Sequence, residues 1–239
     1  MEDNFARLGR YNKSWDFHCV KLHLTKINEI QTLVRERLGF NYFGLLMRQP
    51  LPVSSPPLYA FCNYPRELVK LYCEREFWRI DPRINSIGDQ DYMIWHRIFR
   101  KKTHMYELLS HFNEMKDGVT YCFPLQDGSV AYMSFAGETM VTDAQVQAMA
   151  ADAYLICKTA IDIAELGKKT KYKLVASDLS PQQLGILRLT ADGMTAQQIA
   201  REIFLTKAAV DYHLKIISKK MACHNKTQII AKAALMSLL

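Results

Sequence analysis

The side chains best placed to do chemistry are concentrated at the end of the chain. From Lys171 onward, ten lysines and arginines stand against four acids, so this tail holds +6 of the net +7. A basic small part joined to a near-neutral large part points to a polyanion partner for the small part. Within the tail, Lys207, Asp211, Tyr212, Lys215 and Lys219 recur on one side of a helical repeat whose other side is Val210, Leu214 and Ile217. Lysines on such a face can neutralise phosphates, and the shorter polar groups can reach base edges. Charged faces are more often simply solvated, so this pattern alone leaves a plain helical bundle open.

Elsewhere the reactive side chains form no catalytic pattern. A nucleophile needs a base within reach, and the N-terminal part contains several Cys and His residues. It has no nucleophile elbow, no phosphate-cradling glycine loop and no metal-ligand spacing. His18, Cys19 and His23 fall on one predicted helix, but positions 18 and 23 lie five apart and do not share a face. The six cysteines (Cys19, Cys62, Cys73, Cys122, Cys157 and Cys223) include no Cys-x-x-Cys pair. Several adjoin aromatic residues, and the expectation is free buried thiols in a reducing cytosol. Neither an enzyme nor a bound cofactor or metal is expected.

The elements that position these residues can be read from periodicity. Asp16 to Leu38 has apolar residues at helical spacing, and Gly39 ends it. Tyr42–Met47 and Leu58–Phe61 read as strands around a Pro/Ser loop. Pro65 fits the first turn of a helix running to about Phe77. Ile80 to Arg97 is irregular, and a helix is predicted from Lys102 to Met115. Val119–Leu125 and Val130–Phe135 form a hairpin across Asp127-Gly128. A long helix follows from Thr142 to about Glu165. This order predicts an α+β fold, an antiparallel sheet with helices on both faces. Residues 1–165 are the expected first domain and 166–176 a polar, basic linker. Residues 177–239 are an all-α domain. No apolar run approaches the roughly 20 residues of a membrane span. The acidic start, Met1-Glu2-Asp3-Asn4, argues against a signal peptide, so a cytoplasmic location is expected.

In the all-α part, Ser180 caps a helix that Gly193 ends, Thr195 caps a second to about Ile203, and Thr206 caps a third. A fourth follows Asn225. Two short helices with a tight turn between them, the second basic outside, make a helix-turn-helix. Leu179-Ser180, Ile186-Leu187, Gly193-Met194-Thr195, Gln198-Ile199-Ala200, Ala209–His213, Lys219–Met221 and Asn225–Gln228 fall in the order and spacing that resemble the LuxR-type helix-turn-helix. By that resemblance, Thr195, Lys207, Val210, Asp211, Tyr212, His213, Lys215, Lys219 and Lys220 form the DNA-binding set. Asp211, Tyr212 and Lys215 would lie nearest base edges, and Lys207, Lys219 and Lys220 would contact phosphates. His213 is equally readable as a packing residue. Two features depart from the pattern: Gln182-Gln183 replaces the usual Arg-Glu pair, and Asp211 repels phosphate unless it accepts from a cytosine amino group.

In the larger part, Asn63-Tyr64-Pro65, Tyr72, Asp81-Pro82, Trp95, Gly118-Val119-Thr120 and Ser134 resemble the autoinducer-binding domain of quorum-sensing LuxR-type regulators. The resemblance implies an α-β-α sandwich with a cavity for an acyl-homoserine lactone or a related signal. It also implies a homodimer on a palindromic site in double-stranded DNA and contact with RNA polymerase. Asp81 would accept from the ligand N–H, Tyr64 and Ser134 would donate to its acyl carbonyl, and Tyr72 and Trp95 would wall it. Phe61, Leu45, Met47, Tyr121 and Phe123 are candidates for the apolar lining. Leu68 is the departure: the family usually places there a tryptophan whose indole N–H binds the lactone carbonyl. The loss of that donor costs about 1–3 kcal/mol, and Trp78 is a candidate to replace it. Three outcomes remain open: weak lactone binding, a different acyl or aromatic ligand, or a ligand-independent regulator.

Overall fold

A computed structural model describes residues 17–52, 56–85, 91–99, 108–109, 111–125, 127–164, 166, 179–236 and 238–239. The chain divides into two compact units, the first made of residues 1–125 and 130–169 and the second of residues 170–239 together with 126–129.

The first unit is built on a six-stranded sheet: β1 (Phe17–Cys19), β2 (Tyr42–Arg48), β3 (Leu58–Cys62), β4 (Tyr92–Ile94), β5 (Asp117–Pro124) and β6 (Val130–Gly137). The strand order is β1-β3-β2-β6-β5-β4. Strict alternation sorts the side chains. Phe43, Leu45, Met47, Val119, Tyr121, Met133 and Phe135 face one way, into a core closed by α1 (Leu24–Leu38) and α3 (Asp143–Ile163). Burying each large apolar side chain there contributes roughly 1.5–3 kcal/mol. Gly44, Leu46, Ser134 and Tyr132 face the other way, towards α2 (Arg66–Glu74) and the helical turns Pro82–Asn85 and Trp95–Ile98. The result is a sheet with helices on both faces.

Most element expectations hold within a few residues, and Gly39 (φ 74°) ends α1 in the left-handed region. Four points differ. Phe17–Cys19 is a strand, not the start of α1. It pairs parallel with β3, so the sheet is antiparallel everywhere except at this edge. Phe17, Val20 and Leu24 imitate a helical spacing, but Phe17 instead stacks on Trp78 with ring centroids 5.7 Å apart. His23 then caps α1, accepting from the Thr25 backbone N–H. Second, α2 stops at Glu74 because Glu76 turns left-handed (φ 51°). Third, β4 and two helical turns occupy the stretch read as irregular. Fourth, the predicted 102–115 helix lies largely outside the described residues; Asn113–Met115 is a 3-10 turn. Of the expected linker only Leu166 is described, and it is fully buried in the first unit's core.

The second unit is all helical: α4 (Pro181–Ala191), α5 (Ala196–Glu202), α6 (Lys207–Lys220) and α7 (Lys226–Leu235). Ser180, Thr195, Thr206 and Asn225 each accept a backbone N–H three residues on, satisfying a helix-start donor that would otherwise be orphaned. Leu187, Ile199, Val210, Ile217 and Ile229 meet in its core.

Candidate ligand cavity and nucleic-acid interface

A cavity of about 690 Å³ opens on the α2 side of the sheet. That is within the range of small-molecule sites. Its floor is the outward row of β2, β3 and β6, including Gly44, Leu46, Ala60, Tyr132 and Ser134. Leu68, Val69 and Tyr72 of α2, with Asp81, Arg83, Ile84 and Trp95, complete the wall. The lining is mainly apolar, with a few polar groups at one end.

Those polar groups are tightly organised. Asp81 is completely buried, and its carboxylate is met by the Arg83 side chain. Arg83 backbone N–H and Nε donate to Oδ1 at 2.9 Å each, and Nη2 donates to Oδ2. Tyr72 adds its hydroxyl, donating to Oδ2 at 2.8 Å. The Arg83 guanidinium also stacks over Trp95 and Phe99, 4.8 and 5.3 Å from the ring centroids. Burial works against its charge, but the Asp81 carboxylate more than offsets this, so Arg83 stays protonated. Burial, followed by the charge of Asp81, pushes the Tyr72 phenol well up, keeping it a neutral donor.

Tyr64 lies over Gly44, and a Cβ at Gly44 would come within 2.8 Å of its hydroxyl. Burial raises the Tyr64 phenol far above its usual value, so it keeps its proton. That hydroxyl is buried with no hydrogen-bond partner among the described residues. A buried donor left unpaired costs about 1–3 kcal/mol, so a ligand acceptor at this point would restore the loss. Beside it, Ser134 Oγ is 2.8 Å from Thr120 Oγ1, which also accepts from Trp95 Nε1 at 2.9 Å. The turn carrying Trp95 is held by the buried Asp117, which accepts the His96 backbone N–H at 3.0 Å.

Tyr64, Leu68, Tyr72, Asp81, Trp95 and Ser134 therefore all line one cavity. Phe61 also reaches it, although its ring packs edge-on to Phe43. Tyr121 does not: it points to the opposite face of the sheet, where its hydroxyl donates to the Val146 carbonyl at 2.7 Å. Met47 and Phe123 share that face. The period of two in β2 and β5 separates these residues from the cavity. Trp78 does not line the cavity: it packs behind the wall, on Phe17 and Arg79, and so does not stand in for the missing indole. Arg83 is the residue the sequence reading missed. Its only signal was a base two positions after Asp81, between Ile80 and Ile84. The thiols are more exposed than expected. Cys157 and Cys223 are buried, Cys62, Cys73 and Cys122 are half-buried, and Cys19 is exposed with its Sγ 3.6 Å from Cys73 Sγ at the cavity wall.

In the second unit, α6 presents Lys207, Asp211, Tyr212, Lys215, Lys219 and Lys220 outward. Thr195 is exposed at the start of α5, where it forms a capping box with Gln198. Val210 is fully buried, so it holds the helix in place and cannot touch a duplex. The apolar contacts of the helix core take precedence over the resemblance at that position. His213 is half-buried with an unpartnered Nδ1, between the two readings given above. Lys207 Nζ is 2.8 Å from Asp211 Oδ2, which reduces the repulsion between Asp211 and phosphate. Lys220 Nζ donates to Gln183 Oε1 at 3.0 Å, tying α6 to α4.

Comparison with known proteins agrees with both units. Residues 25–162 match the autoinducer binding domain, and residues 177–233 match the bacterial regulatory proteins of the luxR family. The chain is 26% identical over 213 residues to the regulatory protein SdiA of Escherichia coli K12, covering 87% of each. It is 25% identical to the transcriptional activator SolR of Ralstonia nicotianae, covering 93% of this chain and 95% of SolR. A crystal structure of E. coli SdiA superposes with a TM-score of 0.69 at 24% identity, covering 98% of this chain and 96% of that one. A helix-turn-helix behind a ligand-cavity domain defines a class of transcription regulators, and this chain belongs to the LuxR family within it. Among the described residues, no helix is long and apolar enough to cross a membrane.

Proposed function

We propose that this chain is a cytoplasmic, ligand-responsive transcription regulator that acts as a homodimer on palindromic DNA and performs no catalysis. The observation that carries the ligand half is the apolar cavity with the unpartnered, fully buried Tyr64 hydroxyl at its polar end. An acyl chain would fill the apolar part, and its carbonyl oxygen would accept from Tyr64 and Ser134. Tyr72, Leu68 and Trp95 would hold the head group in place. The related SdiA has been solved in complex with octanoyl-rac-glycerol, an acyl compound of this size and chemistry.

For DNA, Tyr212 and Lys215 of α6 would approach base edges, while Lys207 and Lys219 neutralise phosphates. Lys220 is assigned mainly to the α4 contact. Exposed Tyr154 and Leu155 on α3 support dimerisation through that helix. A two-fold dimer places two copies of α6 about one helical turn of DNA apart, and RNA polymerase would be met at the promoter. A second reading, a ligand-independent regulator, is favoured by Leu68, which fills the head-group wall with an apolar side chain.

Selection of bound duplexes from a random pool, with and without an octanoyl ligand, tests both readings. Two-fold symmetric sites recovered mainly with ligand are expected. Equal recovery without ligand would favour the second reading, and asymmetric single half-sites would contradict the dimer.

A further inference from the structure

Among the described residues, Cys19, Cys62 and Cys73 bring thiols to the cavity lining, and two of them touch. Cys19 ends β1, and the strand's alternation sends Phe17 and Cys19 to the cavity face while His18 stacks on Tyr59 on the opposite one. Cys73 stands in the last turn of α2, and its Sγ lies 3.6 Å from Cys19 Sγ. Both thiols are free, and a small rotation of the two side chains is enough to join them. Cys62 lies two places beyond Ala60, the residue paired with Cys19, so it is further along β3 on the same face. The touching pair stands where the cavity meets solvent. Cys19 and Lys21 on one side, and Arg66 and Lys70 of α2 on the other, are exposed members of the lining.

We propose that Cys19 and Cys73 are an oxidation site, which hydrogen peroxide converts into a reversible disulfide that fastens α2 to β1 across the rim of the cavity. Exposed Cys19 meets the oxidant first. Its thiolate attacks one peroxide oxygen: an S–O bond forms, the O–O bond breaks and hydroxide leaves. Cys19 is thereby oxidised to the sulfenic acid as the peroxide is reduced. The Cys73 thiolate then attacks that sulfur, an S–S bond replaces the S–O bond, and a second hydroxide leaves. The two protons given up by the thiols turn both hydroxides into water. Burial first, and the Cys19 sulfur second, hold the Cys73 thiol up to about 12. A sulfenic acid carries no thiolate charge, so the second of these effects lapses once Cys19 is oxidised. A disulfide of this kind in a reducing compartment is transient, and a dithiol returns it to two thiols. The bond spans 54 residues of chain, so it restrains the unfolded state strongly. A rim fastened in this way slows the exchange of a bound molecule; that consequence alone rests on the ligand-sensing reading above.

The test treats the reduced full-length protein with hydrogen peroxide, alkylates the remaining thiols and maps the digest by mass spectrometry, with Cys19→Ser and Cys73→Ser in parallel. The expected result is a Cys19–Cys73 link as the main product in the wild type, lost in both variants and reversed by dithiothreitol. Oxidation is expected to raise the melting temperature of the sheet unit by about 4 °C or more in the wild type and not in Cys19→Ser. Cys19 is exposed, so its serine variant folds even if Cys73→Ser does not. A main link from either thiol to Cys62, a link between two copies of the chain, or sulfinic Cys19 beside a free Cys73 overturns the proposal. So does a mapped link that leaves the melting temperature unchanged, since α2 and β1 would then not be fastened. Octanoyl-rac-glycerol is expected to leave the oxidised protein several-fold more slowly than the reduced protein, and equal rates remove the effect on exchange. If that compound binds neither form, the ligand-sensing reading fails while the link, read by mass and melting, stands.

Discussion

An added methyl group at Gly44 and one at Gly118 would act on different properties. At Gly44 the new Cβ meets the free end of the Tyr64 ring, 2.8 Å from the hydroxyl. Gly44→Ala is therefore expected to displace Tyr64 and weaken an acyl ligand by about tenfold, the worth of one good buried hydrogen bond. Its unfolding curve should move little. At Gly118 the Cβ meets the Phe135 carbonyl at 2.4 Å and the Trp95 ring at 2.9 Å, neither of which can easily yield. Gly118→Ala is expected to cost about 1–3 kcal/mol of stability by overpacking. Urea unfolding of both variants, followed by ligand titration, separates the two effects.

The cavity thiols make a second residue-scale case. Burial pushes Cys62 up to about 11 and Cys73 up to about 12, so little thiolate exists near neutrality. Alkylation at these two positions should be slow at pH 7, rise with pH and be slowed further by bound ligand, as mass spectrometry of labelled peptides would show. Fast labelling at neutral pH, unaffected by ligand, would contradict their placement in the wall. At this scale much of the cavity was legible: Tyr64, Tyr72, Asp81, Trp95 and Ser134 do come together. Arg83 was not, because a single contact across two residues within a helical turn leaves no periodic trace.

Among the elements, α6 shows how one helix divides its work. Val210 and Ile217 are fully buried, while Tyr212 is 64% exposed. Val210→Ala should therefore lower the stability of the second unit by roughly 2 kcal/mol through its cavity, and weaken DNA only through unfolding. Lys219→Ala should leave stability almost unchanged and weaken binding across all sequences. It should also reduce the slope of log affinity against log salt by about 1. Fluorescence anisotropy at several salt concentrations checks this, and an unchanged slope would remove Lys219 from the phosphate contacts. The caps at Ser180, Thr195, Thr206 and Asn225 were readable because short polar side chains must stand there to satisfy a helix start. Strand β1 was not, since its identity depends on pairing with Leu58–Ala60, forty residues away. Tyr121 failed for a related reason. Strand residues were recognisable, but which face met the cavity depended on register with β4 and β6.

Over the whole molecule, charge and cavity are kept in separate units. The net positive charge gathers in the helical unit that meets DNA, because few acids offset its bases, and the apolar cavity lies in the near-neutral sheet unit. A ligand that binds only the folded first unit must stabilise it by mass action, by about 2.7 kcal/mol at a hundred times its dissociation constant. The most direct measurement is calorimetric melting of the full chain over increasing concentrations of an octanoyl ester, with Gly44→Ala in parallel. A saturable rise in the wild-type transition of the sheet unit is expected, with a smaller rise for Gly44→Ala at the same concentration. No rise with any acyl compound, in protein that still binds DNA, would contradict the assignment of the cavity as the signal site.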